Sequence, residues 1–223
     1  MGDMSEIIPK FIFGFLPFLF ALCFHEYSHG WVANKLGDPT AKLMGRLTLN
    51  PHAHADMLGT YILPVVGMLT GIPLIGWAKP VPVNENNLRN KKTGMFWVAL
   101  AGPGSNIFLA LIGAFAYSVV EIYFPHASFS EGMLLFTGSF LWINLWLAFF
   151  NLLPLHPLDG GKVFAIFLPN EVNRKLESLQ MSSQIILALL FFSGALVFVL
   201  QPVVSFTANG MLSIFSHLPR LGR

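Results

Sequence analysis

The sequence predicts an all-α fold: a polytopic membrane helix bundle with a re-entrant hairpin and a short β segment after the first span. Three observations predict it. Of 223 residues, 54% are hydrophobic and only 11% charged, with a mean hydropathy of +0.64, whereas about a quarter of the residues of a soluble domain are charged. Apolar stretches recur at 11–33, 57–77, 95–120, 133–155 and 183–204, each near the length of about 20 residues that a helix needs to cross the hydrocarbon. The second of them is broken by Pro64, Gly67, Gly71, Pro73 and Gly76. Irregular backbone of that kind survives at membrane depth only where protein or a water-filled cavity satisfies it.

The first stretch, 11–33, is longer than the apolar region of a signal peptide and carries the residues that suggest chemistry, so it is expected to stay in the mature chain. The second is expected to enter and leave on one side. Charge placement agrees, because lysine and arginine favour the cytoplasmic side in short loops. With 57–77 re-entrant, one side collects Lys35, Lys42, Arg46, Lys79, Arg89, Lys91, Lys92, Lys162, Arg174 and Lys175, and the other keeps Lys10, Arg220 and Arg223. A full crossing would even the two sides out. The hairpin also leaves one full span between the first and third long helices, so both deliver their ends to the same side, and the N-terminus is expected outside. The stretches at 95–120, 133–155 and 183–204 read as ordinary spans, the last an addition to a core of 8–168. Without repeats or a soluble insertion, residues 1–223 read as one membrane domain.

Composition also excludes several functions. A single cysteine, Cys23, rules out an intramolecular disulfide and a thiolate metal cluster, which leaves histidine and carboxylate as metal ligands. The formal charge of +2 comes with no basic patch interleaved with aromatics, so no nucleic-acid partner is expected.

His25-Glu26-Tyr27-Ser28-His29 lies inside the first span. On a helix the two histidines, four positions apart, share one face about 6 Å apart along the axis, and Glu26 sits beside them within reach of a water at a metal. Ionisable side chains at that depth cost of order 2.5–3.5 kcal/mol each on the most lenient scale, so a trio of them points to a site. The bland alternative is a buried polar trio bonding between helices. Farther on, Pro154 and Pro157 break the chain just before Asp159-Gly160-Gly161. Asp159 falls at the end of the fourth stretch, level with the histidines, and completes the three protein ligands of a catalytic zinc with an open position. Taken alone it reads as a loop aspartate capping a helix. His156, three residues earlier, reads as a packing or hydrogen-bonding residue, and His52 and His54 as structural or gating residues of a polar loop.

Three segments carry a family resemblance: His25 to His29, then Ala101-Gly102-Pro103-Gly104-Ser105-Asn106, then Asn151 through Gly161. The chain resembles the site-2 protease family (M50) of intramembrane zinc metalloproteases, particularly the compact bacterial type without a PDZ domain. The resemblance implies that His25, His29 and Asp159 hold one catalytic Zn2+, that Glu26 is the catalytic acid and base, and that Asn106 and Asn151 help position substrate. It assigns Gly76 to Asn84 to a membrane-associated β segment, where strand addition by an unwound substrate at Ala78 to Val83 would pair the backbone groups that unwinding frees. It implies a membrane-protein substrate with a single span, and a place in a bacterial inner membrane with the active site towards the cytoplasm. No PDZ or nucleotide-sensing domain is expected, which leaves substrate filtering without an obvious device. A rival reading is a zinc-binding membrane transporter or metal sensor with Glu26 as ligand or proton relay, although inverted repeats and a second set of acidic ligands, which a transporter would more often carry, are not visible.

Overall fold

The structure of the protein is a computed structural model that describes residues 8–9, 11–70 and 76–217. Among these, four helices are long and apolar enough to cross a membrane: Phe11–Lys35, Lys91–Tyr123, Ser130–Asn151 and Ala195–Phe215. The first begins as a π-helical turn, Phe11–Phe15, and continues as α1, Leu16–Lys35. Pro17 sits in the first turn of α1, where it has no N–H to give to the preceding π-helical turn. After α2, Leu63–Thr70, come α3, Lys91–Tyr123, and α4, Ser130–Asn151. Short helices α5, Asp159–Phe164, and α6, Asn170–Ser178, lead to α7, Gln180–Phe192, and α8, Ala195–Phe215.

Helix α3 is the centre of the bundle, packed against α1 on one side and α4 on another. Its start is fixed by the Asn90 side chain, which accepts from the N–H of Thr93. Small residues bring the backbones together: Ala110 and Ala114 are fully buried against Leu141 and Leu145 of α4 and Val204 and Ala208 of α8, the close approach by which membrane helices gain packing energy in the absence of a hydrophobic drive.

The 57–77 stretch departs from and returns to one place. Ala55 bridges Ala78 in antiparallel fashion, Lys79 N–H donates to the His54 carbonyl at 2.9 Å, Trp77 N–H donates to the Gly59 carbonyl at 3.2 Å, and Thr60 Oγ1 donates to the Trp77 carbonyl at 2.7 Å. Ends that bond to one another lie on the same side, so the stretch is a hairpin and not a crossing. Pro64 and Gly67 lie within α2, while Gly71 and Pro73 fall outside the described residues. The expected β segment is reduced to that single bridge among the described residues. Residues 79–84 run on as an extended strap, and Pro80 and Pro82, lacking N–H groups, cannot complete a ladder on one edge.

The C-terminal span differs from expectation. Instead of one helix over 183–204, α7 ends at Phe192 and α8 runs from Ala195 to Phe215. Gly194 adopts φ +76°, the left-handed geometry that ends helices and that glycine enters without strain. Its N–H closes α7 on the Phe191 carbonyl at 3.1 Å. A lone glycine within a continuous apolar run gives little notice of this, so hydropathy joined two helices into one.

Candidate active site

His25 and His29 lie on the face of α1 that packs against α3, only 5% and 8% exposed. Each ring is held by its Nδ1. His25 Nδ1–H donates to Asn106 Oδ1 at 2.6 Å, and His29 Nδ1–H donates to the Val98 carbonyl at 2.6 Å, both acceptors belonging to α3. Protonation at Nδ1 leaves each Nε2 with a lone pair, and the two Nε2 atoms face each other 3.0 Å apart. Asp159 Oδ2 completes the group, 3.0 Å from His25 Nε2 and 3.3 Å from His29 Nε2. Three acceptors converging in a buried place are mutually unfavourable unless a cation sits among them. The separations suit zinc: bonds of about 2.0–2.1 Å in tetrahedral geometry put ligand atoms about 3.3 Å apart. The two outer hydrogen bonds are the kind that fix the ring orientation and tautomer of metal-binding histidines.

The backbone makes room for this cluster. Gly102 of α3 lies so close that a Cβ there would collide with His29 Nε2 and with the His25 ring. Pro103 follows inside the helix, and without an N–H it leaves the Ala99 carbonyl lacking its usual helical donor. On the other flank, Gly160 lies against the carbonyls of Leu152 and Leu153, a fit that only a residue without Cβ allows and that folds Asp159 back towards α1.

A cavity of about 250 Å³ opens over the cluster, lined by both histidines, Glu26, Asp159, Asn151 and, from the strap, Pro80, Val81 and Val83. Glu26 is half-buried, and its Oε2 accepts from the Val81 N–H at 2.8 Å. That bond ties the strap to the helix carrying the histidines. Two more side chains fix the strap at its ends: Arg46 donates to the carbonyls of Lys79 at 2.8 Å and Pro80 at 3.3 Å, and Asp38 Oδ2 accepts from the Asn84 N–H at 2.7 Å. Asp38 is fully buried. Burial alone would push its pKa up, but hydrogen bonds from Thr40, Asn87 and the Asn84 N–H outweigh this and hold it below the ordinary carboxylate value.

The four residues expected to carry chemistry, His25, Glu26, His29 and Asp159, therefore line one cavity, and Asn151 joins them there, its Nδ2 donating to the Leu147 carbonyl at 2.9 Å. Asn106 stands elsewhere. It is fully buried behind His25 and outside the cavity lining, where its Oδ1 accepts from the ring. His156 is buried without a partner for Nε2 and takes no part in the metal group. His54 Nε2–H donates to the Thr48 carbonyl at 2.7 Å, and His52 pairs with the Tyr61 hydroxyl at 2.9 Å, as loop-bracing residues do. The sequence reading missed Val81, Asp38 and the closeness of Gly102. The last was signalled by its place in a helix full of small residues; backbone donors such as Val81 leave no such trace.

Comparison with known proteins agrees with this geometry. The family model described as Peptidase family M50 matches residues 116–194. The chain is 37% identical over 196 residues to a Bacillus subtilis protein named "Putative zinc metalloprotease YwhC", covering 87% of this chain and 86% of that one. It is 30% identical over 192 residues to "Putative zinc metalloprotease Rip2" of Mycolicibacterium smegmatis, covering 85% and 70%, and 29% identical over 190 residues to the Rip2 of Mycobacterium tuberculosis, covering 83% and 69%. No solved structure matches. Identity at the level of the Bacillus protein, sustained over nearly the whole of both chains, is a family relationship: the chain belongs to Peptidase family M50 and is a zinc metalloprotease of the site-2 type.

Proposed function

We propose that this protein hydrolyses peptide bonds in or near the transmembrane segments of membrane proteins, with one zinc ion held by His25, His29 and Asp159 and with Glu26 as general base and then general acid. The observation that carries the reading is the convergence of two buried imidazoles and the partly buried Asp159 carboxylate beside Glu26, in a cavity formed by helices long enough to span a bilayer. When bound, zinc supplies Lewis acidity, polarising a carbonyl and lowering the pKa of water towards about 7. The residues of the chain do the rest. Glu26 takes the proton of the attacking water and returns it to the leaving nitrogen, its Oε2 held by the Val81 N–H so that the carboxylate faces the cavity in one orientation. Asn151 lies where it can contact the substrate backbone.

A peptide bond within a helix is shielded by its own hydrogen bonds, so the substrate must unwind, and its freed backbone groups need partners. Strap residues 78–83, extended and without a ladder, offer such partners at the cavity edge. Because the Val81 N–H already faces Glu26 and Arg46 holds the Lys79 and Pro80 carbonyls, the groups left for a substrate are the N–H groups of Ala78 and Val83 and the other carbonyls of the strap. A substrate with one span, such as a membrane-anchored regulator, fits a cavity reached between helices. The lysine and arginine asymmetry supports a bacterial cell membrane with the cavity towards the cytoplasm, and the relatives named above are bacterial.

The test is cleavage of a reporter with a single span by the purified, zinc-loaded protein. Zinc-dependent cleavage in or beside the span, abolished by Glu26→Gln with zinc content intact, is expected. A protein that binds zinc yet releases no fragment, and instead moves zinc across vesicles, would make it a transporter.

A further inference from the structure

Asn144 stands on α4 in the middle of an apolar span, fully buried, with no contact to the cavity. A primary amide there is costly unless each of its groups has a partner, and it does: Nδ2 donates to the Phe140 carbonyl one turn back at 2.8 Å, and Oδ1 accepts from Asn106 Nδ2 at 2.8 Å. Asn106 Nδ2 also donates to the Ala21 carbonyl at 3.1 Å. Both hydrogens of the Asn106 amide are thus directed away from α1's histidine face, and Oδ1 is left pointing at His25 Nδ1, 2.6 Å away.

The order of donors and acceptors along this chain is set by two carbonyls, Phe140 beyond Asn144 and Ala21 beside Asn106. The Phe140 carbonyl can only accept, so the Asn144 amide must present Nδ2 to it and Oδ1 to Asn106. Asn106 must answer with Nδ2, and therefore meets His25 with oxygen. An acceptor at that place requires His25 to carry its proton on Nδ1. Only then does Nε2 offer a lone pair beside His29 and Asp159.

We propose that Asn144 is a positioning residue for the metal site: through the shorter of the two bonds that Asn106 Nδ2 makes, and together with the Ala21 carbonyl, it fixes which way the Asn106 amide faces and so favours the His25 tautomer that can bind zinc through Nε2. The inference rests on the reading of His25 as a zinc ligand and adds a residue two hydrogen bonds away from the ion. His29 is the internal reference, since its Nδ1–H is held by the Val98 carbonyl, a group that has no amide to flip and no link to Asn144.

The experiment compares wild type with Asn144→Leu, Asn144→Ser and Asn144→Asp, each alone and in an Asn106→Leu background. Leucine removes both groups. Serine can still donate to the Phe140 carbonyl within its own helix but is too short to reach Asn106, which covers the case in which the leucine variant fails to fold. A protonated aspartate keeps an acceptor towards Asn106 and a donor towards Phe140. Zinc affinity is read by competition with a chelator, and the tautomers of His25 and His29 by nitrogen-15 NMR of the zinc-free protein. Leucine and serine are expected to weaken zinc binding about 10- to 100-fold, as loss of a group that orients a metal ligand does. His25 should show protonation on Nε2 in these variants while His29 does not change, aspartate should restore affinity, and no further loss should follow in the Asn106→Leu background. Equal losses in both backgrounds, or an unchanged His25 tautomer and zinc affinity, would overturn the relay. Should His25→Ala bind zinc as wild type does, the metal-ligand reading itself fails, and the relay with it.

Discussion

The wall of the cavity that carries the ligands and the strap opposite it are held by different chemistry. On the ligand wall, side chains of buried helices bond to one another and to helix carbonyls, and the helices close on small residues such as Gly102 and Gly113. The strap has no ladder; beyond the packing of Val81, which is buried, and of Val83 against the Ala33, Leu88 and Val98 cluster, its backbone is caught by side chains from elsewhere, Arg46, Glu26 and Asp38. Each such bond contributes singly, so the strap can yield one point at a time, while the ligand wall holds or fails together. Metal binding should therefore follow the first wall, and substrate handling the second.

Substitutions on the ligand wall are the most severe test of that division. Gly102→Ala should abolish zinc binding although no ligand is altered, because the new methyl group occupies the place of the two imidazoles; His25→Ala and Asp159→Asn should do so by removing a ligand. Glu26→Gln should keep zinc and lose about 10²- to 10⁴-fold in turnover, the range for a missing general base. Zinc analysis and reporter cleavage on the same preparations separate the two kinds of loss, and a Gly102→Ala protein with full zinc would mean that the helices spread apart more easily than their packing implies.

On the strap, Val81→Pro deletes the N–H that holds Glu26 and should lower turnover about 10- to 100-fold, corresponding to a hydrogen bond to a charged group of about 1.5–3 kcal/mol, with zinc affinity unchanged. Loss of zinc in this variant would merge the two walls into one unit. Asp38→Ala should free the far end of the strap and cost about 2 kcal/mol of its local stability, read as faster hydrogen exchange at the Asn84 amide. The same bond predicts a pH effect. Because the Asp38 pKa is lower folded than unfolded, its stabilisation is complete above the unfolded carboxylate value of about 3.9 and disappears as pH falls through the lower folded value. Exchange at Asn84 should therefore accelerate in acid in the wild type but show no such step in Asp38→Ala. Smallest of all, His156→Phe should leave zinc stoichiometry and cleavage close to wild type, since its Nε2 has no partner to lose.

Cysteines placed at Thr48 and Asn86 in a Cys23→Ser background test the hairpin between the two walls. Labelling from one face of the membrane is expected from the Ala55–Ala78 bridge; opposite faces would turn the hairpin into a crossing.

The parts legible in the sequence were those written as residue types with a fixed spacing. Two histidines four apart and a glutamate between them name a helix face, and an aspartate behind two prolines names a chain that turns back. Charge asymmetry and interrupting prolines together indicated the hairpin. What escaped was written in the backbone or in partners far along the chain. The Val81 N–H is common to every residue but proline, and the bond from Asp38 to Asn84 joins positions 46 residues apart. Asn106 was noticed for its motif, yet its orientation depends on a second asparagine on another helix. The break at Gly194 escaped because apolarity is blind to backbone dihedrals.

Helix α3 is 33 residues long, about 50 Å, against a hydrocarbon layer of about 30 Å, so much of it must stand outside. The place where α1 leaves that layer is marked by Lys35, whose ammonium lies 5.6 Å from the ring centre of Trp31, a pairing typical of the interface. His29 and His25 precede Lys35 by six and ten residues, so the metal group lies only about 9–15 Å from that boundary. An extended substrate covers this depth in roughly three to five residues. On the proposed function, a cut there would divide a span unequally: one fragment would keep most of its apolar length and stay anchored, while the other would carry too few apolar residues to remain in the bilayer and would leave on the side where α1 ends. The depth at which His25 and His29 sit would thus decide which end of such a substrate is set free.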